Sequence, residues 1–399
     1  MAGALALARQ NPAGEVGMPY PGASGVTVRP VSVSEFYSMR AEWDALVRES
    51  GADPLFMGWA WMSSWWETWG QRLELQLNLL AVECNQRLVA LAPLDRHSRR
   101  TRWGWSLERV HLIGNAWHLA PTVRSEYMDL IALSEYRAPA MEAVFKALGR
   151  RWDELVICDL VDVNRDDCEI LKSLGLYAVE RRADSGVRID TQQRFTEWLA
   201  KLGPNTRRKV YNRRALLASK AEVHFDASPT ESLQDLFDCL NRFHGQRWGG
   251  PCFSGPSLDF HFQLLDKLPK PNAPVFSCLR IDGQIRSILY DITIGQTVYN
   301  LQSGYEEHYA RKLALGTLHL GYAIERACQT EGIHAYDLLA GGGKNSLYKL
   351  NFAGEITSFR TIQIVRHPLL IVMYRTYMAL PETVRKPVWK WLAQRTGPV

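Results

Sequence analysis

"YDLLAGGGKNSLYKLNFAGE", residues 336–355, is the stretch from which the fold is read. An apolar run with strand character ends in Gly341, Gly342 and Gly343, and an aromatic–basic pair, Tyr348 and Lys349, follows. Adjacent glycines are entropically costly, and they mark places where a backbone turns sharply or admits a close neighbour. The segment therefore predicts a strand that stops at an opening, with Tyr348 and Lys349 delivered to its rim. A surface loop with a chance Tyr-Lys pair is the plainer alternative.

Upstream of this strand the chain reads as a repeated order of elements. Over 26–190, "SVSEFYSMRAEWDALVRES" and "PLFMGWAWMSSWWETWG" have helical spacing, two strands flank Asn85-Gln86, and "EYMDLIAL" and "ELVICDL" bracket the helical "APAMEAVFKALGRRW". Over 191–365, the helix "SLQDLFDCLNRFHGQRW" precedes a hairpin at Asp282-Gly283, the strand "TVYNLQSGY", the helix "LALGTLHLGYAIERACQT" and the strand "HAYDLLAG". The expected fold class is α/β, with mixed sheets and two tandem units. A basic helix opened by Pro204-Asn205 joins the halves.

Bulk properties set outer limits. The chain has 399 residues, 46% hydrophobic, 22% charged, with a formal charge of +5, which suits two globular units and permits an anionic ligand without demanding nucleic acid. Seven scattered cysteines show no CxxC and no Cys/His pairing at zinc spacing, so reduced thiols, no metal centre and a cytoplasmic setting are expected. Residues 1–25 read as a disordered leader. Residues 366–399 read as a helical tail, basic and aromatic enough to touch an anionic membrane surface or to dock on the domain. Arg375 interrupts the most apolar run, so no membrane span is expected.

Four motifs carry a family resemblance: "FHGQRW" (243–248), "YNLQSGYEEHY" (299–309), "LGTLHLGYAIERA" (315–327) and "YDLLAGGGKNSLYK" (336–349). The second half resembles the BioF2-like (CelD-type) branch of the GNAT acyltransferases, which are related to the Fem-type peptidyltransferases. The first half is similar at lower specificity and reads as a degenerate GNAT-like domain. The resemblance implies an acyl group moved from acetyl-CoA or another acyl-CoA to an amine of a small molecule or amino sugar, with a link to exopolysaccharide or cell-envelope metabolism. An aminoacyl-tRNA donor, or a non-catalytic interaction protein, would keep the same fold. This sequence departs from the family pattern at Glu306, where Asp is usual, and at "ALG" (314–316), which leaves Gly316 alone of the usual glycines.

Candidate residues follow from these motifs. A helix start near Gly316 and Thr317, with Arg311 and Lys312 before it, offers free amides and a positive dipole end to a diphosphate; an ordinary turn is the alternative. Gln302 and Ser303 would flank that cofactor, and Lys349 would meet its phosphate or an acyl carboxylate. Asp337 or Glu306 could act as base, and Tyr309 or Tyr348 could protonate the departing thiolate; buried structural carboxylates and packed rings are the competing fates. His244, Arg247, Trp248 and Gly341 would line the acceptor side. The five tryptophans of 59–69 could stack on sugars or bases, but core packing is the expected reading.

Overall fold

The computed structural model describes residues 20–21, 25–100, 106–116, 119–161, 165–269, 275–309, 313–341, 346–381 and 383. Most of the leader, the chain beyond 383, and Arg311, Lys312, Gly342 and Gly343 lie outside the described residues.

The first half supplies β1 (Tyr20–Pro21), β2 (Val26–Pro30), β3 (Gln76–Leu77), β4 (Leu80–Cys84), β5 (Arg87–Ala92), β6 (Leu94–Arg100), β7 (Ser106–Leu112), β8 (Ile131–Ala132), β9 (Glu154–Val161) and β10 (Tyr177–Asp190). The second half supplies β11 (Val223–Asp226), β12 (Phe276–Ile281), β13 (Gln284–Ile294), β14 (Thr297–Tyr305), β15 (Ala335–Ala340) and β16 (Glu355–Val365). A five-stranded sheet runs β1-β2-β4-β5-β8. An eleven-stranded sheet runs β11-β12-β13-β14-β15-β10-β16-β9-β7-β6-β3.

The long sheet joins the halves by trading their last strands. β10, from the first half, lies between β15 and β16; β16, from the second, lies between β10 and β9. Gly186 permits this approach, because a Cβ there would stand 2.9 Å from Phe359 and 3.0 Å from the Leu339 backbone.

Local signals explain most elements. Asn85 and Gln86 take φ of +49° and +66°, and Asp282 and Gly283 take +50° and +74°, the left-handed pairs that tight hairpins need. The expected single helix over 32–50 is instead two, Val33–Ser38 and Arg40–Ser50, because Met39 leaves helical geometry at ψ +18°. In the helix Trp59–Trp69 all five tryptophans are buried. Trp61 and Trp69 pack on Phe260 of the second half, so these rings bind the halves together rather than face a ligand. The basic stretch folds as Pro204–Arg207, a π-turn over Arg208–Asn212 and Arg213–Ala218. It lies against the helix Leu315–Gln329 at Gly321, where a Cβ would meet the Val210 carbonyl at 2.2 Å. Among the described residues no helix is long and apolar enough to cross a membrane.

Candidate active site

β14 and β15 run parallel and pair over three positions only, Thr297 with Ala335, Val298 with Tyr336 and Tyr299 with Asp337. Beyond Tyr299 the strands part. β14 stays on β13 as far as Tyr305, and β15 stays on β10 as far as Ala340, so a wedge opens between them. The helix Leu315–Gln329 starts at this wedge. Its N-cap, Ala314, takes φ +53° and provides no side-chain acceptor, so the amides of the first turn are left for another partner. Gly316 backs onto Tyr305, whose ring atoms would lie 2.6 and 2.8 Å from a Cβ. Only glycine lets the helix start this close to the strand.

A cavity of about 570 Å³ occupies the wedge. β14 contributes Asn300, Leu301, Gln302, Ser303 and Tyr305 to its wall, and the helix start contributes Gly316, Thr317 and Leu320. Ala340 and Gly341 form the β15 side. Arg247 and Trp248 close one end from the helix Leu233–Trp248, which reaches β14 across Gly304. Thr206 and Lys209 enter from the basic stretch, and Tyr348, Lys349, Asn351 and Phe352 complete the rim. The charged residues in this wall are Lys209, Arg247 and Lys349; no Asp, Glu or His lines it among the described residues. With the dipole of the incoming helix, the lining favours an anion.

Nine of the expected site residues thus share one cavity: Gln302, Ser303, Gly316, Thr317, Gly341, Arg247, Trp248, Tyr348 and Lys349. The Arg247 guanidinium stands over the rings of Trp248 at 4.9 Å and Tyr305 at 5.2 Å, and Trp248 is 55% exposed. Tyr348 is 40% exposed, and the partial burial of its phenol raises the pKa above the ordinary value, with Arg247 acting in the opposite sense. Lys349 differs from expectation. Its ammonium donates to the carbonyls of Leu338, Leu339 and Ala340, so it fastens the end of β15 rather than waiting for a phosphate. Burial pushes its pKa down, and Glu126 and Asp337 pull the other way.

Four expected residues stand elsewhere. Asp337 is fully buried beneath the wedge, with one oxygen accepting from the Tyr127 hydroxyl and the other from the Leu339 amide. That leaves it unable to meet an acceptor amine. Glu306 pairs with Arg286, and Tyr309 lies 4.8 Å from the same guanidinium, on the far side of β14's end from the cavity lining. His244 holds the Gly250 carbonyl at 2.7 Å and shapes the loop beyond Trp248 without lining the cavity. Arg311 and Lys312 fall outside the described residues.

The floor beneath the wedge was not visible in the sequence. Glu126 and Tyr127 reach from the first half, Glu126 accepting the Ala340 amide at 2.8 Å. Both Tyr127 and Leu339 hold positive φ, +54° and +57°. Asp53, also from the first half, accepts from the Tyr299 hydroxyl at 2.8 Å, and burial raises its pKa to about 6. Nothing in local spacing ties residues 53 and 126–127 to a strand more than 160 positions on; only the chain's closure brings them together.

The first half repeats the wedge but fills it. β7 and β9 pair in parallel over three positions, from Arg109 with Glu154 to His111 with Val156. There the segment 123–128 bridges the parted strands. Ser125 Oγ donates to the Gly114 carbonyl near the end of β7 and accepts from Trp61 Nε1 at 2.8 Å. The Met128 amide donates to the Asp159 carbonyl on β9 at 3.2 Å, and Arg124 forks onto the Asp159 carboxylate at 2.8 and 2.6 Å.

Comparison with known proteins agrees with this architecture. Residues 204–350 match the model of an acetyltransferase (GNAT) domain. No curated protein matches the sequence. Among solved structures, FemX is similar at 13% identity with a TM-score of 0.54, over 80% of this chain and 95% of that one. The C-terminal (DUF2156) domain of a putative lysylphosphatidylglycerol synthetase from Agrobacterium fabrum is similar at 9% identity with a TM-score of 0.50, over 85% and 95%. The chain therefore shares a mixed α/β fold with these structures, and within its second half residues 204–350 match a GNAT acetyltransferase domain.

Proposed function

We propose that the protein is an N-acyltransferase of the BioF2-like (CelD-type) kind, moving an acyl group from acyl-CoA to an amine-bearing small molecule or amino sugar. The observation that carries this reading is the open wedge between β14 and β15, walled by cations and an uncapped helix start, with no acidic side chain in its wall among the described residues. Such a lining fits a diphosphate-bearing thioester. The thioester supplies the activated carbonyl carbon and a sulfur leaving group.

The residues divide the remaining work. The amides of Gly316 and Thr317 bind the diphosphate, with Lys209 adding charge. Backbone beyond Tyr299 on β14, released from β15, polarises the carbonyl oxygen. Trp248 and Arg247 wall the acceptor end and limit water. Tyr348 gives its proton to the sulfur as the C–N bond forms and the C–S bond breaks; the nitrogen releases one proton to solvent water, and Tyr348 is reprotonated from the same solvent. With no carboxylate or imidazole in the described lining, the acceptor enters as the free amine, so kcat/KM rises with pH until the amine's own pKa.

Thermal unfolding with CoA and acetyl-CoA tests the reading. A ligand at 100 times its Kd stabilises the native state by about 2.7 kcal/mol, a rise of several degrees. Absence of any rise at millimolar thioester overturns it. A second reading, an aminoacyl-tRNA donor, draws on Lys209 at the cavity and exposed Arg208 beside it. It predicts salt-sensitive tRNA binding in place of thioester binding.

A further inference from the structure

The β6–β7 hairpin of the first half gathers three metal-binding side chains on one face. Asp95 and His97 are two apart on β6 and so point the same way; His111 is the register partner of Asp95 on β7. One ligand atom from each lies within 4.8 Å of the others, and all three residues are buried, with exposures of 0%, 5% and 1%. The two imidazoles stack with centroids 4.8 Å apart.

Asp95 is the feature that calls for a ligand. Its carboxylate is wholly enclosed, and neither oxygen accepts a hydrogen bond among the described residues. His111 Nδ1 stands 3.7 Å from one of them, too long for a hydrogen bond. A buried carboxylate without donors is unfavourable unless protonated or bound to a cation. Arg109, the register partner of His97, makes no hydrogen bond to it among the described residues: its Nε donates to Glu154 at 2.7 Å, and its buried Nη1 has no hydrogen-bond partner there. Glu154 in turn accepts from the Tyr374 hydroxyl of the helix Pro368–Ala379, so that helix covers this face of the sheet.

We propose that Asp95, His97 and His111 bind one divalent transition-metal ion, with zinc as the fitting probe. Two imidazole nitrogens and both oxygens of Asp95 supply up to four donors of the kind zinc takes. Ligand atoms around zinc at bonds of about 2.0–2.2 Å sit closer together than 4.8 Å, so binding draws the three side chains inward. The ion neutralises the enclosed carboxylate and clamps the two strands of the hairpin. The site is structural, and it lies in the half whose wedge is filled. A search for ligand spacing along the chain misses it, since the third ligand comes from the facing strand.

The test uses the full chain, stripped with dipicolinate and dialysed against zinc. We expect about one zinc per chain by atomic emission, and a melting temperature that rises on reloading. Cobalt in place of zinc is expected to give visible d–d bands that one equivalent of zinc removes. Asp95→Asn and His97→Gln should lower zinc affinity by about 100-fold or more, while His224→Gln, at the exposed position of β11, leaves it unchanged. Should the buried variants fail to fold, the cobalt spectrum of the wild-type protein decides. Wild-type protein that retains no zinc and shows no cobalt bands overturns the proposal, as does full retention in folded Asp95→Asn and His97→Gln.

Discussion

Two parallel ladders, each three residue pairs long, diverge in this chain, and they end differently. Between β14 and β15 the gap stays open and is lined by Lys209, Arg247 and polar backbone. Between β7 and β9 it is closed by residues 123–128, tied down through Ser125, Met128 and Arg124. One wedge holds a cavity and the other holds chain. The filling is not idle, because its tip at Glu126 and Tyr127 supports the end of β15 under the open wedge. The first half thus supplies the floor of the open wedge.

The sharpest way to break this contrast is to put an acid into the open wedge. Thr317→Glu adds a carboxylate at a helix start, where the dipole welcomes it, so stability should hold or rise slightly. In the cavity, at effective dielectric values near 20, the same charge repels a phosphate by a few kcal/mol. Titration should show thioester affinity falling about 100-fold or more at an unchanged melting temperature. Equal affinity would remove the helix start from the binding site.

The seam between the halves should show itself in pH dependence. Burial raises the Asp53 pKa from the ordinary 3.8 to about 6, although the hydrogen bond from Tyr299 opposes the shift. A carboxyl raised in this way contributes stability that is complete below about pH 4 and lost as pH climbs through 6. That contribution amounts to at most about 3 kcal/mol. Asp53→Asn should therefore shrink the stability gained between pH 7.5 and pH 5, followed by urea unfolding. An identical gain in the variant would mean that Asp53 is not the titrating group.

Loosening the filled wedge should matter less, and only to stability. Ser125→Ala strands the Trp61 indole N–H and the Gly114 carbonyl, for a loss of about 2 kcal/mol. Thioester affinity should change less than twofold; a larger change would mean the two wedges are coupled. Smallest of all, Arg208→Gln with Arg213→Gln should leave thioester binding within twofold, since neither side chain lines the cavity. A large loss of tRNA binding in that double variant would favour the second reading of the donor.

How much of this was readable beforehand depends on whether the signal was local. The helix Leu233–Trp248, the hairpin at Asp282-Gly283 and the helix beginning at Leu315 follow from periodicity and turn residues within a few positions. Most of the cavity wall follows too, because β14, the next helix and the 346–352 turn are consecutive in the chain. Asp337 misled because a carboxylate in a strand before glycines reads as chemistry, while Tyr127 and the Leu339 amide occupy it. Glu306 and Tyr309 misled for a similar reason, being claimed by Arg286 from the neighbouring strand. Lys349 was expected at the rim and stands there, but its ammonium is spent on three carbonyls that no sequence pattern announces. The basic stretch looked like a nucleic-acid face. Arg207 caps the carbonyls of Leu199, Ala200 and Leu202, and Arg214 pairs with Glu325 and lies over Tyr322, so part of its charge is structural.

The traded strands have a consequence for how the protein is made. β10 waits for β15 and β16 before either of its edges is matched, and β9 waits for β16 as well. Partners so distant in the chain close slowly and leave sheet edges bare meanwhile. A ribosome must deliver the chain through Val365 before the long sheet can seal, and a cut between 190 and 191 parts β10 from both of its neighbours and β9 from β16. Nascent chains halted short of β16 would be natural clients of chaperones.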